Sequence, residues 1–103
     1  MTTWANGEIS EKDFNQFINQ AKAIVEFYTP TCAPCRQLEP ILAELSKKTG
    51  IPVARINALE APHLTEEYWV IGVPALFYFK NGKLVRELRG CVSGEKLYEF
   101  FYY

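Results

Sequence analysis

Two cysteines stand three positions apart in the stretch FYTPTCAPCRQLEPIL, residues 27 to 42. Side chains at that spacing lie on the same side of a helix, so Cys32 and Cys35 start near disulfide distance. Such a pair can exchange disulfides with a substrate, supply half of a zinc site, or form a structural bridge. The spacing allows all three kinds of site, and the rest of the chain has to distinguish them.

The remaining cysteine and histidine content argues against a metal. A structural zinc site needs four ligands, and besides the pair the chain offers only Cys91 and His63. A bridge across so small a loop would remove little entropy from the unfolded chain, so it would be a poor structural disulfide. Three cysteines in 103 residues is also far below the density of a disulfide-rich scaffold. We therefore predict a reactive dithiol and no metal site.

Composition and charge exclude several other classes of function. A chain of 103 residues with 49% hydrophobic content fits one domain, which we place over residues 1–103. The formal net charge is −1, which gives no basic surface for nucleic acid or for a membrane. Because there is no signal-peptide pattern and no apolar run of about 18 residues, we expect a cytoplasmic protein.

The elements that would position the cysteines follow from hydrophobic periodicity. A first helix is predicted by apolar residues at helical spacing, with Ser10 and Asp13 as a capping box at its start. Those apolar residues are Phe14, Phe17, Ile18 and Ala21. The run AIVEFY, residues 23 to 28, lacks alternation and is typical of a strand covered on both faces. A second helix, containing Pro40 and ending at Gly50, should follow the cysteines.

The second half of the chain predicts two more helices and three strands. IPVARIN is a covered strand, and EAPHLTEEY is a short helix that Pro62 opens. ALFYF and KLVREL form a hairpin around Asn81 and Gly82, and Ser93 caps a last helix. With a weak strand before the first helix, this order predicts an α/β fold, a mixed central β-sheet with helices on both faces.

This arrangement gives the two cysteines different roles. Cys32 follows a strand and begins a helix, where unpaired N–H groups and the helix dipole favour a thiolate and should lower its pKa. Cys32 should therefore attack a substrate disulfide, while the shielded Cys35 resolves the mixed disulfide. Pro34 stiffens the loop, and Ala33 is small enough to let a polypeptide approach.

With these residues in place, the chain resembles the thioredoxin family over essentially its whole length. FYTPTCAPCRQLEPIL is similar to the family's active-site strand, C-x-P-C motif and proline-kinked helix. GVPALFYFKNGKLV is similar to its cis-proline loop and the following hairpin. The resemblance implies a thioredoxin fold and a general dithiol–disulfide oxidoreductase that reduces protein disulfides. It also implies a monomer that binds no cofactor and is re-reduced by thioredoxin reductase, a flavoprotein that uses NADPH.

The resemblance also implies roles for residues outside the cysteine motif. Pro74 would be cis and face the cysteines, the backbone of Val73 would pair with a substrate strand, and Gly90 would let the substrate approach. Glu26 takes the position of a buried acid that relays a proton, and Arg55 that of a lysine near this acid. Without the resemblance, Glu26 could be a strand-end carboxylate facing water, Arg55 a side chain reaching out to solvent, and Pro74 an ordinary trans proline.

Several positions depart from the family pattern. Tyr28 and Thr31 stand where the family usually has tryptophan, and Ala33 where it has glycine. Because Thr31 is small and polar, we expect the groove beside Cys32 to be more open and less apolar than usual. Cys91 is either a small buried hydrophobe or a third thiol at the rim of the substrate groove. The alternative function is a non-catalytic binding or holdase module in which the thiols are incidental.

Overall fold

The computed structural model describes residues 7–90 and 93–102, in which four strands and four helices occur. The strands are β1 (Ala23–Tyr28), β2 (Val53–Asn57), β3 (Ala75–Lys80) and β4 (Lys83–Arg89). The helices are α1 (Phe14–Ile18), α2 (Ala33–Thr49), α3 (Pro62–Glu67) and α4 (Gly94–Phe101). Two short 3₁₀ turns, Glu11–Asp13 and Ala58–Glu60, precede α1 and α3.

The strands form one mixed sheet in the order β2-β1-β3-β4. β1 and β2 are parallel, whereas β3 is antiparallel to both β1 and β4. From residue 7 onward, the predicted weak strand contributes one parallel bridge between Glu8 and Arg55. The Ile9 N–H donates to the Arg55 carbonyl, and the Arg55 N–H donates to the Gly7 carbonyl. The prediction of a mixed sheet is confirmed.

Helices cover both faces of this sheet, because side chains of successive strand residues point to opposite faces. On one face, Ile24, Leu76 and Tyr78 pack with residues of α2 and α4 such as Leu42 and Phe100. On the other face, the strand residues Val25, Phe27 and Phe77 pack with residues of α1 and α3. These include Phe14, Ile18 and Leu64. The odd and even positions of β1 are therefore both buried, which explains why AIVEFY shows no alternation.

The turn and cap residues behave as their types predict. Gly50 ends α2 with φ of 75°. Asn81 and Gly82 have φ of 53° and 83°, the left-handed geometry that the tight hairpin between β3 and β4 requires. The Ser93 hydroxyl accepts a hydrogen bond from the Lys96 N–H and so caps α4.

The prediction for the first helix is wrong in two respects. α1 ends at Ile18, and Ala21 is exposed outside it, because the Asn19 backbone leaves the helical region with ψ of 62°. The Phe17 carbonyl, which a longer helix would bond to the Ala21 N–H, accepts a hydrogen bond from the Gln20 side-chain amide at 2.6 Å instead. The capping box is also not formed. The Ser10 hydroxyl donates to the Asp13 carboxylate at 3.0 Å and caps no backbone N–H.

Within residues 7–90 and 93–102, every helix is too short or too polar to cross a bilayer.

Candidate active site

Cys32 and Cys35 are joined by a disulfide at the start of α2. Cys32 is the N-cap residue, is partly exposed, and its Sγ accepts a hydrogen bond from the Cys35 N–H at 3.2 Å. Cys35 lies one turn further along and is only 1% exposed, and the two Cα atoms are 5.3 Å apart. A substrate can therefore reach the first sulfur directly and the second only through the first.

The loop before the pair is tied to α2. The Arg36 guanidinium donates to the Pro30 carbonyl at 2.7 Å, and the Cys32 N–H donates to the Thr29 carbonyl at 3.1 Å. Pro34 lies in the first turn of α2, where its missing N–H costs no helical hydrogen bond. These contacts hold Cys32 at the end of β1 while its sulfur stays accessible.

Glu26 lies inside β1 and is fully buried. Ile24 packs against α2, so Glu26, two residues later, points to the same face of the sheet. Burial raises the pKa of Glu26 to about 8, although the positive charge of Arg55 opposes the rise and the negative charge of Glu39 adds to it. The interpretation of Glu26 as a strand-end carboxylate facing water is wrong.

Arg55 lies beside Glu26 because β1 and β2 are in parallel register with these two residues opposite each other. Its Nε is 3.6 Å from Glu26 Oε1, and its Nη2 is 2.5 Å from Glu39 Oε2. The guanidinium carbon is 4.0 Å from the centre of the Tyr28 ring. The predicted proximity of Glu26 and Arg55 is confirmed, and Glu39 joins them.

Glu26, Arg55, Glu39 and Tyr28 form a polar cluster under α2, in which the Arg55 guanidinium stacks on the Tyr28 ring. This ring is buried, and the Tyr28 hydroxyl donates to the Glu8 carboxylate. Burial first, and then this carboxylate, raise the pKa of Tyr28 to about 12, so the hydroxyl stays protonated and remains a donor. Tyrosine at this position therefore contacts both the cation and an outer acid.

A cleft of about 220 Å³ opens beside the pair. Its lining includes Cys35, Arg36, Glu39 and Arg55, together with residues 28–30. The cleft thus brings Cys35, which is itself only 1% exposed, to the same opening as Glu39 and Arg55. The polar cluster under α2 thus communicates with water.

Pro74 and Gly90, which the resemblance assigns to the substrate groove, lie at the same end of the sheet as Cys32. The Val73–Pro74 peptide bond is cis, as the resemblance implied, and the Pro74 carbonyl accepts a hydrogen bond from the Gly90 N–H at 2.9 Å. Gly90 has φ of 84°, a conformation that suits glycine. Ala75 pairs with Phe27 and with Arg89, so Pro74 and Gly90 adjoin the end of β1 that leads to Cys32.

The other predicted positions have simpler outcomes. Ala33 is exposed next to Cys32, and Val73 is partly exposed. His63 lies at the surface with Nδ1 3.3 Å from Glu11 Oε1, as expected for a solvated imidazole. Cys91 lies outside the described residues, so its two interpretations stay open.

The sequence interpretation missed Glu39. Glu39 follows Cys35 by four positions, the spacing that puts two helical side chains on one side, and this signal could have identified it. It also missed the left-handed backbone of Trp69, whose φ is 54°. Arg89 donates to the carbonyls of Tyr68 and Trp69, at 2.7 and 2.5 Å, and holds that turn in place.

Solved structures share this fold. A mutant thioredoxin from Halobacterium salinarum is 28% identical, with a TM-score of 0.85 over 92% of this chain and 86% of that one. The oxidised mitochondrial thioredoxin 3 of Saccharomyces cerevisiae is 21% identical and has the same fold, with a TM-score of 0.84 over 93% and 92% of the two chains. The thioredoxin fold is confirmed.

Sequence comparisons agree with the fold. The family model described as Thioredoxin matches residues 6–102. The thioredoxin of Rhodospirillum rubrum is 34% identical over 97 residues, which cover 90% of this chain and 93% of that protein. The chloroplastic M-type thioredoxin of Spinacia oleracea is 28% identical over 87% of this chain and 52% of that protein. The chain therefore belongs to the thioredoxin family, and it is a dithiol–disulfide oxidoreductase that reduces protein disulfides by thiol–disulfide exchange.

Proposed function

We propose that Cys32 is the attacking thiol and Cys35 the resolving thiol of a general protein-disulfide reductase. The observation that carries this assignment is the contrast between a partly exposed Cys32 at the helix N-cap and a Cys35 that is 1% exposed. The Cys35 N–H that now bonds the Cys32 sulfur would stabilise a thiolate there, as would the other unpaired N–H groups of the helix start.

The reaction has two exchange steps. The Cys32 thiolate attacks one substrate sulfur, so the substrate disulfide breaks, one substrate thiolate leaves, and a mixed disulfide forms. Cys35 loses its proton and attacks the Cys32 sulfur, which releases the second substrate thiolate and closes the Cys32–Cys35 bridge. The substrate gains two electrons and two protons, and the enzyme pair loses the same number.

Glu26 is the proton acceptor for Cys35 in the second step. It lies on the sheet face that α2 covers, and its neighbour Arg55 lines the same cleft as Cys35. The proton passes directly or through one water. Its raised pKa of about 8 makes Glu26 a much stronger base than an ordinary carboxylate, as the acceptance of a thiol proton requires.

Ala33, Val73, Pro74 and Gly90 form the substrate groove. The support is their position at one end of the sheet beside Cys32, with Val73 partly exposed before the cis proline. An extended substrate strand would pair with the Val73 backbone. Cys91, next to Gly90 in the sequence, would lie at the rim of this groove.

Electrons would come from thioredoxin reductase, an NADPH-dependent flavoprotein, and the chain itself would bind no cofactor. We place the protein in the cytoplasm, as a monomer formed by one domain over residues 1–103. The family includes chloroplastic members, such as the spinach protein above, so a fusion to a fluorescent protein tests the location directly.

The assignment of the two thiols is tested by the reduction of a model protein disulfide with dithiothreitol as electron donor. Cys32→Ser should abolish turnover, whereas Cys35→Ser should still attack once and accumulate mixed disulfides. Glu44→Gln is the control, because it changes an exposed side chain of α2 outside the groove and should retain turnover. Wild-type protein without activity would favour the alternative, a non-catalytic binding or holdase module.

A further inference from the structure

Arg55 lies between two carboxylates and pairs closely with only one of them. Its Nη2 is 2.5 Å from Glu39 Oε2, a short charge-assisted hydrogen bond. Its Nε is 3.6 Å from Glu26 Oε1, which is beyond hydrogen-bond distance. The stacking of the guanidinium on the Tyr28 ring at 4.0 Å further limits its orientation.

Glu26 is left without a hydrogen bond as a result. Among residues 7–90 and 93–102, neither carboxylate oxygen of Glu26 has a hydrogen-bond partner, and neither does Arg55 Nε. A buried carboxylate without hydrogen bonds is strongly disfavoured in its charged form. The close pairing of Arg55 with Glu39 therefore favours the protonated form of Glu26.

Few charged groups face Glu26 from the elements around it. β2 contributes Arg55, α2 contributes Glu39, and β3 contributes the apolar Leu76 opposite Glu26. Cys35 of α2 lines the same cleft as Glu39 and Arg55. Further out, the cleft is lined by Arg36, and Arg55 stacks on Tyr28, whose hydroxyl bonds Glu8.

We propose that Glu39 is a positioning residue, which draws the Arg55 guanidinium away from Glu26 and so keeps the Glu26 carboxyl basic enough to take the proton of Cys35. This inference rests on the proposed role of Glu26 as proton acceptor. A Glu26 paired closely with Arg55 would be a weak base, and proton transfer from a thiol to it would be uphill. Glu39 is 30% exposed at the cleft, so its own charge is solvated while it holds the cation.

Direct titration of Glu26 tests the proposal on the full chain in its disulfide form. Carbon-13 NMR of labelled glutamate carboxyls follows the wild type and Glu39→Gln, which keeps the side-chain length and removes the charge. We expect the Glu26 midpoint to fall by about one pH unit, because repulsion from Glu39 is lost and Arg55 is free to approach. Glu44→Gln, an exposed position on the same helix, is the matched control and should leave the midpoint unchanged.

An unchanged midpoint in Glu39→Gln overturns the proposal. A higher midpoint also overturns it, because Glu39 would then be holding Arg55 in place for Glu26 rather than drawing it away. The kinetic counterpart is the pH profile of the resolving step. In Glu39→Gln its midpoint should move to lower pH and its plateau at high pH should fall, since Glu26 becomes a weaker base.

Glu26→Gln separates this proposal from the one on which it rests. If that variant resolves mixed disulfides at the wild-type rate at every pH, Glu26 is not the acceptor and the role of Glu39 in the reaction fails with it. If Glu26→Gln does slow resolution but Glu39→Gln leaves the titration midpoint of Glu26 unchanged, only the proposed role of Glu39 is wrong.

Discussion

Burial has different consequences for Cys35 and Glu26, the two side chains to which we assign the second exchange step. Cys35 is neutral as a thiol or a disulfide, so its burial costs little and shields it until the mixed disulfide has formed. Glu26 carries a charge at neutral pH if its pKa is ordinary, and burial raises that pKa to about 8. The same environment thus suits both proposed roles, a nucleophile that is shielded until the mixed disulfide forms and a carboxylate that is a stronger base than usual.

At this scale we predict that Glu26→Gln separates the two exchange steps. The resolving step should slow by about 100-fold or more at pH 7, which is the typical contribution of a positioned general base, while the first attack by Cys32 keeps its rate. Rapid mixing with a disulfide substrate, in single turnover, measures both steps. Glu44→Gln is the control, and equal rates for both steps in Glu26→Gln would show that Glu26 relays no proton.

At the scale of elements, α2 carries most of the site, and much of it was predictable. The covered strand, the C-A-P-C start and the Gly50 end are local signals, since each depends on residue type and spacing alone. α1 was predicted too long because the apolar spacing continues past Asn19, whereas the Gln20 side-chain amide takes the Phe17 carbonyl that the next helical turn needs. Arg55 of β2 lies between Glu26 of β1 and Glu39 of α2. Its pairing therefore depends on how three elements pack together, which hydrophobic periodicity does not predict.

The end of α2 is fixed to the approach to β2 by one buried hydroxyl. Ser46 is 1% exposed, and its Oγ donates to the Ile51 carbonyl at 2.6 Å. We expect Ser46→Ala to lower the free energy of unfolding by about 1–3 kcal/mol, because it leaves that buried carbonyl without its partner. Urea unfolding measures the change. The exposed Ser10→Ala is the control, expected within about 0.5 kcal/mol of wild type, and equal effects of the two substitutions would contradict the prediction.

At the scale of the whole molecule, the order of elements and one hairpin were sufficient to predict the mixed sheet and its two helical layers. The sequence does not give the register of β1 against β2, because both strands are nearly continuous apolar runs. That register places Glu26 directly opposite Arg55, so the polar cluster under α2 is a property of the assembled fold. Burying the Glu26 carboxyl in its charged form costs free energy, and this cost lowers the stability of the whole molecule.

Stability should therefore depend on pH through Glu26. Its pKa of about 8 in the folded protein lies above the ordinary value of 4.5, so between these values the folded state holds a proton that the unfolded state has lost. The free energy of unfolding must fall as pH rises through this window, by at most about 5 kcal/mol at about 1.4 kcal/mol per pKa unit. Glutamine cannot ionise, so the stability of Glu26→Gln relative to wild type should grow from pH 4.5 to pH 8 and stay constant above.

Glu11 should affect the free energy of unfolding with the opposite pH dependence, lowering it as the pH becomes acidic. Its carboxylate accepts a hydrogen bond from the Leu64 N–H at 2.8 Å, which together with His63 outweighs the opposing effect of burial and lowers its pKa. Its contribution is present above the ordinary value of 4.5 and is lost as pH falls through the lowered one. Urea unfolding of the disulfide forms between pH 3 and pH 9 separates the two groups. A Glu26→Gln curve parallel to that of wild type between pH 4.5 and pH 8 would mean that Glu26 ionises in the folded protein as easily as in water.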